Sequence, residues 1–267
     1  MERETGFLLL SAGFLSCGIF SIPAGRLAFD GFSEKSIRDV NARNSLPWSP
    51  AGFLGRGVKS PVFGVMWAIM YTWCVVCIVS TIVAGLGRQL AQDSQRLCFS
   101  CMLCFLAFLL ASFWEVVYIQ EKAWSFIVSS ALLLGSASAL GVASFLVTPF
   151  LHTNMSWFEN TCGIFFAFFS GWLLVAFAIS LGTVTRYYNR GSSRLDDEES
   201  SYWPFSLGVL VLILCCAFAN GFIAIPMFVA SFFFKGYLKR WQIWSSSILS
   251  LMGLVSGIVI MLFRRSL

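Results

Sequence analysis

Residues 61–86 read PVFGVMWAIMYTWCVVCIVSTIVAGL, a run of 26 residues without a charged side chain. About 20 apolar residues in an α-helix are enough to cross the hydrocarbon core of a bilayer. The run lacks the apolar-polar alternation of barrel strands, so in a membrane its backbone must satisfy its own hydrogen bonds as a helix. The stretch therefore predicts a transmembrane helix.

Six further apolar runs, each bounded by charged residues, extend this prediction along the chain. They cover residues 7–23, 97–114, 124–148, 162–185, 205–234 and 242–263. The sequence thus predicts an all-α membrane protein with seven spans. The sixth run exceeds one bilayer thickness and contains Asn220 and Pro226, so we expect a tilt or a kink there.

The composition of the 267 residues supports a membrane protein and excludes a water-soluble enzyme. The chain is 58% hydrophobic and 12% charged, and its mean hydropathy is +0.79, whereas soluble domains are about one quarter charged. Its net charge is +5, and the basic residues lie mainly between the runs. Basic residues placed in this way are typical of loops that set the membrane topology, rather than of a nucleic-acid-binding surface. They predict that the N-terminus faces outside and that Arg264 and Arg265 face inside.

Two connections between the runs differ from the other, shorter ones. The first loop, residues 24–60, contains the segment Leu46–Pro50 (LPWSP) among other apolar residues, which predicts that it packs back onto the helices. Residues 187–203 include the acidic run Asp196–Glu199 and are predicted to be a flexible, solvated linker. Docking of a partner on this linker is the alternative interpretation.

Ionisable groups inside the predicted spans are missing. None of the seven runs contains Asp, Glu, Lys or Arg, and Glu115 lies directly after the third. Intramembrane charges mark proton relays, ion pathways and voltage sensors, so the pattern argues against a pump, a proton-coupled transporter or a voltage sensor. The single histidine, His152, has no carboxylate pair beside it in the sequence. We therefore expect a protein that is not an enzyme.

Nine cysteines raise the alternative of a metal site, because Cys74-x-x-Cys77 and Cys98-x-x-Cys101-x-x-Cys104 have ligand-like spacing. Cys77 is expected roughly 13 Å before the end of its helix, whereas Cys98 begins the next helix on the same side. The two groups are therefore not expected to converge on one ion, and the thiols are interpreted as small packing residues. The small residues of 129–141 predict a helix-packing face, within the monomer or between copies.

Aromatic side chains recur at helical spacing in two runs. Phe63, Trp67 and Tyr71 lie four residues apart and form a stripe on the second predicted helix. On the fifth predicted helix, a similar stripe is formed by Phe165, Phe168 or Phe169, and Trp172. The stripes are interpreted either as core or lipid-facing aromatics, or as the flat walls of a cleft for a planar hydrophobic ligand.

These residues also carry a family resemblance. The stretch Pro61–Tyr71 resembles the second-helix signature of the TspO/translocator protein family, the tryptophan-rich sensory proteins also called peripheral benzodiazepine receptors. Pro47–Pro50 is similar to the family's proline- and tryptophan-bearing first loop. Ala111–Trp114 stands where the family has an Asn-x-x-Trp motif, and Trp114 matches the tryptophan of that motif. Gly171–Ser180 is similar to Trp-x-x-Phe-Ala-x-x-Leu-Asn, with serine in the final position.

The resemblance implies a TspO-like five-helix domain over residues 1–186 that binds tetrapyrroles or sterols beneath the first loop. Residues 204–267 would then be a two-helix extension, as in a longer, seven-helix branch of tryptophan-rich proteins. The ligand-binding candidates are Trp48, Phe63, Trp67, Tyr71, Trp114, Phe168 and Trp172.

Two functions follow as expectations. The first is a membrane protein that binds a porphyrin or a sterol for transport or sensing. The second is an accessory subunit of a large membrane complex that has lost ligand binding. The first predicts an open cleft between the aromatic faces of the second and fifth helices, and the second allows side chains or lipid to fill it. Expected partners are membrane lipids, further copies of the chain or a larger complex, in a mitochondrial or plastid membrane, without nucleic acid.

Overall fold

The fold is all-helical over the part of the chain that the computed structural model describes. That part comprises residues 2–29, 40, 61–87, 94–147, 156–188, 223, 225–226 and 255. Its helices are α1 Glu2–Phe29, α2 Pro61–Leu86, α3 Ser94–Tyr118, α4 Ala123–Leu146 and α5 Trp157–Tyr188. All five are long and apolar enough to cross a membrane. The all-α, multi-pass membrane class predicted from the sequence is confirmed.

The helix bounds agree with the predicted spans to different degrees. Helix α2 has the bounds of the run 61–86, whereas α1 begins before residue 7 and α5 continues beyond residue 186. The predicted spans 205–234 and 242–263 lie outside the described residues, apart from four positions. The linker from residue 189 onward also lies outside them.

The start of α5 corrects one expectation. The helix begins at Trp157, five residues before the predicted span, because Ser156 and Glu159 form half of a capping box. The backbone N–H of Ser156 donates to Glu159 Oε2 at 2.8 Å, and the Ser156 hydroxyl donates to the same oxygen. The helix that contains the fifth predicted span therefore also contains Glu159, which lies in its first turn, before that span, and is 1% exposed.

The five helices pack in a closed order. Helix α1 lies between α2 and α3, α3 packs on α4, and α4 packs on α5. A less extensive contact between α5 and α2 closes the arrangement. At the crossing of α1 and α3, Gly18 lies so close to Phe108 that a Cβ there would be 2.8 Å from Phe108 Cδ2. In lipid the hydrophobic effect does not drive helices together, so they associate through close packing, and a glycine permits the close approach.

The small-residue face of α4 lies within the monomer. Ser136 Oγ donates to the carbonyl oxygen of Ala107 on α3 at 3.0 Å. On the α5 side, the hydroxyls of Ser130 and Ser180 are 2.7 Å apart, and Ser170 Oγ donates to the Ala137 carbonyl at 2.8 Å. Short side chains let three helices approach closely, and their hydroxyls join the helices by hydrogen bonds.

Helix α5 is the most enclosed helix of the described bundle. In its apolar centre 78% of the residues are buried, against 33–44% in the other four helices. A smaller cluster lies at the opposite end of α5 from Trp157, where Val40 packs with Tyr118 and Phe126. Val40 belongs to the first loop, so the prediction that this loop packs back onto the helices holds at this residue.

Candidate functional site

Aromatic rings of α2 and α5 meet in one network. Trp67 stacks on Tyr71 with ring centroids 5.7 Å apart, and it contacts Phe169 edge-on at 6.2 Å. Further along α2, Trp73 lies 5.7 Å from Phe168 and 6.3 Å from Phe165. The two predicted stripes therefore do face each other, and their rings are in contact.

The remaining candidate residues are distributed differently. Trp172 is buried at 2% exposure in the core around α5. Trp114 is partly buried at the margin of both hydrophobic clusters, and its ring lies 5.5 Å from that of Tyr118. Phe63 belongs to α2, but its side chain and the whole of Trp48 lie outside the described residues. The structure thus brings Trp67 and Tyr71 together and places Trp114 apart from their stack.

These contacts bear on the cleft that the stripes were expected to form. Edge-on and tilted ring pairs at 5–6 Å are close-packed arrangements that leave no space for a further planar group between them. Among the described residues, rings of α2 and α5 occupy the interface where an open cleft was expected. A flat ligand therefore needs another surface.

Such a surface exists between α1 and α2. A groove of about 570 Å³ lies along the C-terminal half of α1 and the middle of α2. Volumes of 300–1,000 Å³ are typical of small-molecule sites. The lining residues are Ser16, Ile19, Phe20, Ile22, Pro23, Tyr71, Val75 and Ile78.

The lining has a buried base and two exposed sides. Ile22 is buried, whereas Phe20 and Val75 are 69% and 49% exposed and flank the opening. Tyr71 belongs both to this lining and to the aromatic network, because it stacks on Trp67. A molecule in the groove would therefore contact a ring that is connected through Trp67 to α5.

The groove is almost entirely apolar. None of its eight lining residues is charged. Ser16 and Tyr71 supply the only hydroxyl groups of that lining, and Ser16 Oγ donates to the backbone carbonyl of Ala12 at 2.8 Å. A site of this kind can hold a hydrocarbon framework and at most one or two hydrogen-bonding groups.

Buried thiols form a second notable cluster. Cys77 of α2 and Cys162 of α5 are in hydrogen-bonding contact. Cys104 of α3 lies near both Cys74 and Cys162, and Cys101 lies near Cys162. Cys101 and Cys104 lie one and two turns deeper in α3 than Cys98, on which the sequence argument rested, and they come near the cysteines of α2 and α5.

The thiol cluster has the properties of packing residues. All five of its cysteines are fully buried in the main hydrophobic core and carry free thiols. Across the described ranges, no group of three or more His, Cys, Asp or Glu could hold a metal ion. Small, polarisable side chains fill the space where three helices come together.

Sequence reasoning missed three contributors to these sites. Trp73 stands two residues after Tyr71, so it does not share the stripe that was used to find the α2 face, although it contacts α5. Cys162 has no partner at ligand-like spacing in the sequence. The α1 side of the groove, around Ile19 and Phe20, has no pattern that distinguishes it from a lipid-facing surface.

Comparison with known proteins gave no match. No protein-family model matches the chain, and no curated protein or solved structure matches it. The resemblance to the TspO family stays a prediction.

Proposed function

We propose that the protein is a non-enzymatic, TspO-like membrane protein that binds a flat hydrophobic ligand of the sterol class in the groove between α1 and α2. The observation that carries the proposal is the apolar, 570 Å³ groove with Tyr71 in its wall. The volume lies within the range of small-molecule sites, and the lining matches an apolar, rigid molecule.

The charge of the lining favours a sterol over a porphyrin. Protoporphyrin carries two carboxylates, and a buried carboxylate without a cationic or hydrogen-bonding partner is strongly disfavoured. A sterol has one hydroxyl group, for which Ser16 or Tyr71 is a sufficient partner. The absence of charge among the eight lining residues is thus compatible with the sterol and unfavourable to the porphyrin.

The contacts of Tyr71 support a role in sensing. The Tyr71 ring stacks on Trp67, and Trp67 contacts Phe169 of the most enclosed helix. A ligand that reorients Tyr71 would alter this chain of ring contacts, since packed rings have few alternative arrangements. The open side of the groove would let a ligand exchange directly with the bilayer, without passing through water. Transport by this exchange is the other form of the same proposal, and an organelle membrane is its expected location.

Titration with the fluorescent sterol dehydroergosterol tests the proposal in the purified full-length protein. Val75→Trp should fill the groove and weaken binding about tenfold or more, which corresponds to about 1.4 kcal/mol. Val79→Trp is the matched control, because Val79 is similarly exposed at 53% on the same helix and does not line the groove. Equal binding by wild type and both variants, or no saturable binding by wild type, would refute the sterol site.

One observation supports a second candidate function. The rings of Trp73, Phe165 and Phe168 close the interface between α2 and α5, as expected for a scaffold whose ancestral cleft is filled. The protein would then be an accessory subunit of a larger membrane complex. Purification from its native membrane in mild detergent, followed by mass determination, distinguishes the two: stable co-purifying subunits support the scaffold, and a bound sterol without them supports the ligand-binding protein.

A further inference from the structure

A proline inside α1 leaves one backbone carbonyl without its usual donor. Pro23 lies within the helix. In an uninterrupted α-helix the N–H of residue 23 would donate to the carbonyl oxygen of Ile19, four residues earlier. Proline has no N–H and its ring crowds that carbonyl group, so this hydrogen bond cannot form. The Ile19 carbonyl oxygen is therefore an acceptor that the helical ladder does not satisfy.

This carbonyl belongs to the groove between α1 and α2. Ile19 and Pro23 both line the groove, as do Ser16 and Phe20. The four positions are spaced by three or four residues, so they share one face of α1 over about two turns. A helical carbonyl points toward the residue four positions later. The Ile19 oxygen thus lies between two lining residues, on the face that a bound molecule would contact.

A bilayer offers no water to satisfy such a carbonyl. In transmembrane helices, carbonyls freed by a proline are satisfied by Ser or Thr hydroxyls, by ordered water or by a neighbouring helix. The two serines of α1 that lie nearest to Ile19 donate elsewhere. Ser16 Oγ donates to the Ala12 carbonyl at 2.8 Å, and Ser21 Oγ donates to the Gly18 carbonyl at 2.7 Å. A donor that enters the groove would therefore gain a hydrogen bond to Ile19 in apolar surroundings.

Ser16 adds a second acceptor to the same wall. A hydroxyl group has one hydrogen, and that of Ser16 is directed to the Ala12 carbonyl, so its oxygen can only accept from a ligand. Tyr71, in the α2 wall, differs because a phenol can donate as well as accept. The α1 wall is therefore the part of the lining that distinguishes a ligand with a donor from a ligand without one.

We propose that the groove selects flat apolar molecules whose polar group is a hydrogen-bond donor, with the Ile19 carbonyl freed by Pro23 and Ser16 Oγ as the acceptors. The inference rests on the proposed function and narrows its ligand class to sterols with a free hydroxyl group. A ketosteroid or a sterol ether would bring a third acceptor against the two of the α1 wall. Acceptors without a hydrogen between them do not bond, and an unpaired polar group in apolar surroundings is disfavoured.

Competition against bound dehydroergosterol in the purified full-length protein measures this selectivity. The competitors are cholestanol, its methyl ether and cholestanone, which share one saturated ring system. Cholestanol should compete about tenfold better than either of the others, as expected when a buried polar group is left unpaired. The ether is larger than the alcohol and the ketone is not, so the size of the polar group would not explain the weakening of both.

Pro23→Ala restores the N–H that donates to the Ile19 oxygen and so occupies this acceptor. The preference for cholestanol over cholestanone should fall about threefold or more in this variant, and it should disappear when Ser16→Ala is added. Alanine is a better helix former than proline, so the variant keeps α1 folded. The ratio of the two competitors is also insensitive to a general loss of affinity.

Ser21→Ala is the matched control. It removes a hydroxyl with the same kind of backbone hydrogen bond from the same helix, and Ser21 is not among the residues that line the groove. The preference for cholestanol should be unchanged in this variant.

Failure of this inference is distinguishable from failure of the proposed function. No saturable binding of dehydroergosterol by the wild type would refute both. Saturable binding with equal competition by cholestanol and cholestanone would leave the groove in place and refute the acceptor wall. A preference that Tyr71→Phe abolishes and Pro23→Ala does not change would refute it as well.

Discussion

Trp172 is the residue at which the predicted ligand site and the observed core coincide. Its side chain is 2% exposed on α5, among residues that are buried on every face of the helix. A tryptophan in such a position contributes dispersion contacts with all of its surroundings. Its role in this structure is therefore packing.

Replacement of Trp172 by leucine should lower the free energy of unfolding by about 2 kcal/mol, because the lost ring leaves unfilled space in a close-packed region. Trp157→Leu is the matched control, since Trp157 begins the same helix and is 54% exposed. Reversible unfolding of both variants in mixed micelles gives the comparison. Equal stability of the two variants would show that the Trp172 surroundings collapse without cost or are not packed as described.

At the scale of elements, α1 and α3 cross closely at Gly18. A Cβ there would lie 2.8 Å from Phe108 Cδ2 and 3.4 Å from the Cα of Phe105. The contact with Phe105 has an ordinary length, so it is the Phe108 ring that would have to move. That ring is 2% exposed and lies 5.2 Å from the ring of Phe169, so it has little space to move into.

Gly18→Ala should therefore destabilise the protein by about 1–3 kcal/mol, the usual cost of overpacking. Gly13→Ala on the same helix has nothing within 4 Å of its new Cβ, and it should be neutral or stabilising by up to about 1 kcal/mol through helix propensity. Thermal unfolding of the two variants under identical detergent conditions measures the difference. The same melting temperature for both would contradict the close crossing.

Prediction of the elements from sequence succeeded where composition changes sharply. The bounds of α2 follow from a run that starts at Pro61 and contains no charge. The start of α5 was placed too late because Glu159 was counted as loop, although the spacing Ser156-x-x-Glu159 is the sequence signature of a capping box. A local hydrogen bond let a carboxylate enter the first turn of an apolar helix.

Prediction of the site was limited by what a single helix can reveal. Periodicity identified the faces of α2 and α5 that meet, through Trp67 and Phe168, but ring volumes and orientations decide whether two faces enclose a cleft or close on each other. The groove depends on how far apart α1 and α2 diverge near Phe20 and Val75. No residue spacing along one helix encodes that separation.

At the scale of the molecule, the helix order predicts a definite membrane topology. Four helices, α2 to α5, separate Ser33 from Ser193, so Ser33→Cys and Ser193→Cys should react with a membrane-impermeant maleimide from the same side. Gln120→Cys, between α3 and α4, should react from that side too, and Gln89→Cys from the other. Native cysteines can stay in place, with unmodified protein as the reference. Labelling of Ser33 and Ser193 from opposite sides would contradict the four intervening crossings.

At the scale of the molecule, the described residues form a five-helix bundle. We propose that its ligand groove lies between α1 and α2 rather than between α2 and α5. A photoactivatable sterol analogue, crosslinked to the purified protein and mapped by peptide mass spectrometry, tests this claim most directly. We predict crosslinks in residues 16–23 and 71–78, which an excess of unlabelled sterol abolishes. Crosslinks that persist under competition, or that fall mainly on the exposed outer face of α4, would contradict it.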